Sequence, residues 1–176
     1  MLEKLNKLSE QEKKYYMNEA LLEAKKANMM GEVPIGAVVI LDGKIIGRGH
    51  NVREFSQDAT THAEMIAIRE ANRQVESWRL EKAHLFVTLE PCPMCSGAIL
   101  LSRIENVYFG AMDPKGGTVG SLMNLLQDSR FNHECYVEQG ILEEECSTIL
   151  THFFKEIRKR KKEAKKTSNL LKNVVQ

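Results

Sequence analysis

Two short segments carry the chemistry this chain can do: Thr61-His62-Ala63-Glu64 and Glu90-Pro91-Cys92-Pro93-Met94-Cys95. Cys92 and Cys95 are three residues apart, a spacing that puts both sulfurs on one side of a helix. Pro91 and Pro93 suit a helix start, where a missing N–H costs nothing. The positive end of the helix dipole favours thiolates there, and the thiolate is the form that binds a metal. Two cysteines supply two ligands, whereas zinc takes four, usually a tetrahedron of nitrogen and sulfur donors. His62 is the candidate third ligand, because it stands at another expected helix start just after a loop. Three protein ligands and one open position is the pattern of a catalytic zinc. Glu64 either binds the metal as well or stands beside the open position and moves protons. Residues two apart on a regular helix point about 200° apart. His62 and Glu64 therefore converge only if His62 lies ahead of the helix proper.

The elements that must position these groups read as alternating helices and strands. Ser9-Glu10-Gln11-Glu12 has the form of a capping box. Met17, Ala20, Leu21, Ala24 and Ala27 follow at helical spacing, and Gly31 marks a stop. Ile35 to Leu41 reads as a strand, Asp42-Gly43 as a hairpin turn and Lys44 to Gly49 as the return strand. Helical spacing resumes after Thr61 with Met65, Ile66, Ile68 and Ala71. His84 to Leu89 is a short strand, and a helix beginning near Pro91 and Cys92 leads to a strand at Val107 to Gly110. Asp113 to Gly117 is a loop, Ser121 to Gln127 a short helix, Cys135 to Val137 a weak strand, and Ile141 opens a long closing helix. This order predicts an α/β layered fold whose sheet is largely parallel after the first hairpin. It reads as one domain over residues 1–166, with residues 167–176 as a frayed tail. Cys135 and Cys146 read as buried or half-buried free thiols. Trp78 reads as packing, and His50, His84, His133 and His152 as structural or surface groups, with His133, beside Asn132, the one that could reach an RNA.

Composition bounds the function classes. The 176 residues, 43% of them hydrophobic, exclude a wholly disordered chain and suit a single domain that needs no disulfides. No apolar run approaches the ~18 residues of a membrane span; the longest, Val33 to Leu41, is broken by Pro34 and Gly36. Glu3, Lys4, Lys7, Glu10 and Glu12 leave no apolar leader, so the expected location is the cytoplasm. Four cysteines there point to metal or catalytic use. The net charge of +1 hides an asymmetry: residues 155–176 carry +7, which leaves −6 on the rest. The basic run Lys155 to Lys166 reads either as a phosphate-binding surface or as a solvated helix end.

Taken separately, the cysteine pair also fits a redox couple, and His62 a helix cap. In order, His-x-Glu upstream of Pro-Cys-x-x-Cys is the pattern of zinc-dependent nucleobase deaminases. From about Tyr15 to about Lys159 the chain resembles the bacterial tRNA-specific adenosine deaminases, of the cytidine/deoxycytidylate deaminase superfamily. The resemblance is carried by Glu32 to Val38, Gly49-His50-Asn51, His62-Ala63-Glu64, Val87 to Cys95, Gly97-Ala98, Phe109 to Ala111, Gly120 to Leu122, Asn132-His133 and Gly140 to Leu142. It implies a three-layer α/β/α sandwich around a five-stranded mixed sheet, the cytidine deaminase-like fold. It implies that His62, Cys92 and Cys95 hold one Zn²⁺ per chain, with water as fourth ligand, and that Glu64 shuttles protons without being a ligand. The implied reaction is hydrolytic deamination of adenosine to inosine at the wobble, or first anticodon, position of tRNA. The implied assembly is a homodimer with RNA sites near the subunit boundary. Asn51 matches the position that hydrogen-bonds the target base, the backbone of Ala63 faces that base, Ile35 lies along the pocket, and Asp113 sits on a loop near the RNA. The basic helix, through Lys155, Arg158, Lys159 and Arg160, can hold anticodon-arm phosphates. Two other readings stand beside this one. One is a small-molecule deaminase of guanine or cytosine type; the other is a non-catalytic, zinc-stabilised RNA-binding module.

Overall fold

The computed structural model describes residues 8–174, with side chains described through Thr167. Glu3, Lys4 and Lys7, on which the leader expectation partly rests, lie outside the described residues, as do residues 175 and 176. The elements in chain order are α1 (Glu10–Met29), β1 (Gly36–Leu41), β2 (Lys44–His50), α2 (Arg53–Ser56), α3 (Ala63–Val75), β3 (His84–Leu89), α4 (Pro93–Leu101), β4 (Asn106–Ala111), β5 (Tyr136–Gln139) and α5 (Glu143–Val174).

The five strands form one mixed sheet in the order β2-β1-β3-β4-β5. The β1 strand runs antiparallel to both β2 and β3, and the β3–β4 and β4–β5 pairs are parallel. Strand side chains alternate between faces, and here both faces are covered. Ala37, Val39, Leu85, Val87, Val107 and Phe109 point into a core shared with α3 and α4. Val38, Ile40, Phe86 and Tyr108 point to the opposite side, against α1 and the start of α5. That is the expected three-layer sandwich, and it explains why β1, β3 and β4 read as unbroken apolar runs rather than as alternating ones.

Local chemistry sets the boundaries. The Ser9 hydroxyl accepts from the Glu12 N–H, and the Glu12 carboxylate accepts from the Ser9 N–H, so the capping box forms. The five apolar residues expected on the buried face of α1 are all buried. The helix α3 lies close on β2, where two glycines make room for it. A Cβ on Gly49 would stand 2.2 Å from the Ala63 carbonyl oxygen, and one on Gly47 would stand 2.2 Å from that of Ala67.

Three expectations are revised. Ser121 to Gln127 form turns and an isolated bridge between Val119 and Asn124, with no helix. The Leu125 N–H, which a helix would direct to the Ser121 carbonyl, donates instead to the Thr118 carbonyl at 2.9 Å. Trp78 is 57% exposed, with the Arg79 guanidinium 4.6 Å above its ring, and packs into no core. In place of a frayed tail from residue 167, the α5 backbone is helical through Val174.

Candidate active site

The β2, β3 and β4 strands all finish at one end of the sheet, and β1 begins there. Ile35 precedes β1, Asn51 follows β2, Leu89 to Cys92 close β3, and Met112 to Lys115 follow β4. In open α/β sheets, ligands bind beyond the carboxyl ends of the strands. A cavity of about 520 Å³ opens at this end. Ile35, Asn51, His62, Ala63, Glu64, Cys92 and Asp113 line it, with Cys95 buried beneath.

His62 is the N-cap of α3, with extended backbone (φ −75°, ψ 157°), and Glu64 is the second residue of the helix. The step out of helical geometry resolves the 200° problem and lets both side chains reach the same cavity. Cys92 has the matching position, N-cap of α4 with φ −78° and ψ 173°, and Pro93 is the first helical residue. Cys92 is thus a cap rather than a helical residue, and its sulfur lies over the first turn, where Cys95 sits.

The His62 Nδ1 is 3.6 Å from Cys92 Sγ and 3.6 Å from Cys95 Sγ. Zinc bonds of ~2.3 Å to sulfur and ~2.05 Å to nitrogen, at the tetrahedral angle, place such donors about 3.6 Å apart. The three donor atoms lie within 4.8 Å of one another, and among the described residues no fourth His, Cys, Asp or Glu joins the group. The donor set fits one zinc ion and leaves a coordination position for a non-protein ligand. The cysteines are also electrostatically prepared. Hydrogen bonding from Cys95, then from His62, pulls the Cys92 thiol down to about 4, while its bond to Cys92 and burial hold the proton on Cys95. A cation held by these donors would take the place of that proton.

Glu64 is 4% exposed. Burial pushes its carboxyl up to about 7, and the Cys92 charge adds to the effect. A carboxyl tuned towards neutrality beside an open coordination position suits proton transfer in both directions. Asn51 is 5% exposed and braced. Its Nδ2 donates to Glu32 Oε2 and to the Val33 carbonyl, each at 3.3 Å, and Glu32 Oε1 accepts from the Phe55 N–H.

Several cavity residues carry no role that the sequence suggests. Arg53 and Lys115 bring two exposed cations to it, Glu90 a buried carboxylate, and Leu150 and Phe154 an apolar wall from α5. The four-residue spacing of Leu150 and Phe154 on one helix is the available signal for that wall. Lys155, Arg158, Lys159 and Arg160 are exposed on α5 outside this cavity, and among the described residues they form no ion pair. The His133 Nε2–H donates to the Ile104 carbonyl, 2.7 Å away, which ties its loop to that residue. Cys135 and Cys146 are buried, and burial pushes both thiols up to about 12. No helix among the described residues is long and apolar enough to cross a membrane.

Comparison with known proteins agrees with this geometry. Residues 10–111 match the family model of the cytidine and deoxycytidylate deaminase zinc-binding region. The chain is 60% identical over 151 residues to the tRNA-specific adenosine deaminase of Bacillus subtilis, which covers 86% of this chain and 94% of the relative. A solved structure from a study of A-to-I editing by tRNA:A34 deaminases superposes with a TM-score of 0.74 and 44% identity, over 77% of this chain and 99% of that one. A guanine deaminase from Bacillus subtilis is more distant, with a TM-score of 0.53 and 37% identity over 56% of this chain and 63% of that one. With its His/Cys/Cys zinc group, its mixed sheet and these relatives, the chain belongs to the family of tRNA-specific adenosine deaminases.

Proposed function

We propose that this chain is the enzyme that converts adenosine to inosine at the wobble position of a tRNA anticodon, by hydrolytic removal of the 6-amino group. The observation that carries the reading is geometric: the His62 Nδ1 lies 3.6 Å from both Cys92 Sγ and Cys95 Sγ, and the buried Glu64 carboxyl and the braced Asn51 amide share their cavity. The curated relatives named tRNA-specific adenosine deaminase support the choice of substrate.

His62, Cys92 and Cys95 hold the zinc. When bound, it supplies Lewis acidity, which lowers the pKa of water from ~15.7 towards ~7. Glu64 takes a proton from the attacking water and passes it to the purine ring nitrogen as oxygen adds to C6. Glu64 then delivers the second water proton to the amino group, the C6–N bond breaks, ammonia leaves and inosine remains. Asn51 hydrogen-bonds the base, the Ala63 backbone faces it, Ile35 packs along it, and Asp113 stands at the RNA-facing rim. Reading a base by splaying it from a single-stranded loop into a pocket is the usual RNA mode. Arg53 and Lys115 beside the cavity suit the phosphates on either side of such a base. Lys155, Arg158, Lys159 and Arg160 bind backbone farther along the anticodon arm. The working unit is a homodimer of one-domain chains, acting in the cytoplasm.

The test is incubation of the zinc-loaded chain with an anticodon stem-loop carrying adenosine at the first anticodon position. Mass analysis is expected to show conversion to inosine. Turnover of free guanine, cytosine or nucleosides, with the stem-loop untouched, would replace this reading with a small-molecule deaminase.

A further inference from the structure

We propose that Glu90 is a positioning residue for the reaction: its carboxylate clamps the 112–121 loop to the cysteine-bearing turn and so sets the cavity wall against which the target base is held. The inference rests on the deaminase reading and adds a role for a side chain outside the metal group.

Glu90 follows the last residue of β3 and precedes Pro91, two positions before a zinc ligand. It is 2% exposed. Each of its oxygens is taken up by the loop after β4. Oε1 accepts from the Val119 N–H and the Ser121 N–H, each at 2.9 Å. Oε2 accepts from the Asp113 N–H at 2.9 Å and from the Ser121 hydroxyl. Every partner is a donor, and an ionised carboxylate is the side chain that only accepts. An amide of the same size would turn an NH₂ towards donors and lose half of the clamp.

Other bonds tie the same loop to the same turn. The Thr118 N–H donates to the Pro91 carbonyl at 2.9 Å, and the Ser96 and Thr118 hydroxyls are 2.9 Å apart. Gly117 shows how close the approach is: a Cβ there would stand 2.1 Å from Glu90 Cδ. What the clamp holds is not remote from the chemistry. Met112, Asp113 and Lys115 are loop residues that line the same cavity as His62 and Glu64, and Glu90 lines it too. A fixed wall is what brings a base into attack geometry, where a shift of ~1 Å costs on the order of a hundredfold in rate.

The experiment compares Glu90→Gln with wild type on the adenosine-bearing anticodon stem-loop. Readouts are kcat per zinc-loaded chain, KM, zinc content and hydrogen exchange at the Asp113, Val119 and Ser121 amides. Glu90→Gln is expected to keep one zinc per chain and a KM within about threefold, to speed exchange at the three amides, and to lower kcat about 10- to 100-fold. Ser121→Ala, which removes a single donor at the partly exposed end of the clamp, is expected to lower kcat about threefold; it carries the test if Glu90→Gln folds poorly. A kcat within about twofold of wild type despite faster amide exchange overturns the proposal, as does loss of zinc as the main defect. Wild-type turnover of the same stem-loop reports separately on the deaminase reading.

Discussion

Glu64 and Glu90 are two buried carboxyl groups on the same cavity, and their surroundings push them in opposite directions. Burial dominates at Glu64 and lifts its carboxyl to about 7. At Glu90 burial also works against the charge, but the Ser121 hydroxyl and the Asp113, Ser121 and Val119 N–H groups outweigh it and hold the carboxyl below its ordinary range. A carboxylate whose lone pairs are filled by fixed donors keeps its charge and fastens backbone. One left poorly solvated can accept and release a proton at little cost. The contrast is what separates the proposed proton carrier from the proposed clamp, although both are glutamates, 4% and 2% exposed.

The strongest test of that contrast is Glu64→Ala. It is expected to cut deamination by about 10²- to 10⁴-fold while about one zinc per chain remains, measured by metal analysis beside the inosine assay. Loss of metal would instead make Glu64 a ligand and erase its distinction from a structural carboxylate. His62→Ala is the complementary break: zinc content and activity are expected to fall together, because two thiolates do not complete the site. A third measurement moves away from the cavity, to charges that do not touch the base. Replacing Lys155, Arg158, Lys159 and Arg160 with Gln is expected to weaken stem-loop binding and to reduce the salt slope by about 0.7–0.9 for each phosphate no longer neutralised. The kcat at saturating RNA is expected to hold. An unchanged slope would confine recognition to Arg53, Lys115 and the cavity.

The smallest effect extends the same rule to a buried base. His84 is 3% exposed, and its Nδ1 has no hydrogen-bond partner among the described residues. Burial lowers its pKa, with Glu105 and Glu12 opposing. The unfolded chain therefore binds a proton more readily than the folded one. The stability this group contributes is complete above ~6.5 and declines as pH falls through that value. Chemical denaturation between pH 7.5 and 5 is expected to show this decline in wild type and a flatter profile in His84→Phe.

The zinc group is legible in the sequence because each part of it is local. Spacing of two or three residues at helix starts, with prolines marking one start, says where His62, Cys92 and Cys95 can point. The strands β1, β3 and β4 are legible as apolar runs. Glu90 is not, because its partners lie 23 to 31 residues away in a loop with no periodicity. A bond outside the segment also accounts for the loss of the helix expected at Ser121 to Gln127: its residues have helical character, but the Leu125 N–H is committed to the Thr118 carbonyl. The spacing of Leu150 and Phe154 marks an apolar stripe on their helix, but nothing in that helix tells which distant strand end it crosses. Exposure of Trp78 likewise depends on what fails to cover it.

The seating of α3 on Gly47 and Gly49 leaves the centre very little mechanical tolerance. His62 and Glu64 begin a helix whose first turns rest directly on strand backbone, so their placement is fixed by a stop rather than by a cushion of side chains. Substitution at Gly47 or Gly49 therefore acts directly on the seat of α3 and on the residues at its start. A single methyl group at Gly49 would stand 2.2 Å from the Ala63 carbonyl oxygen, so strand or helix would have to give way beside His62 and Glu64.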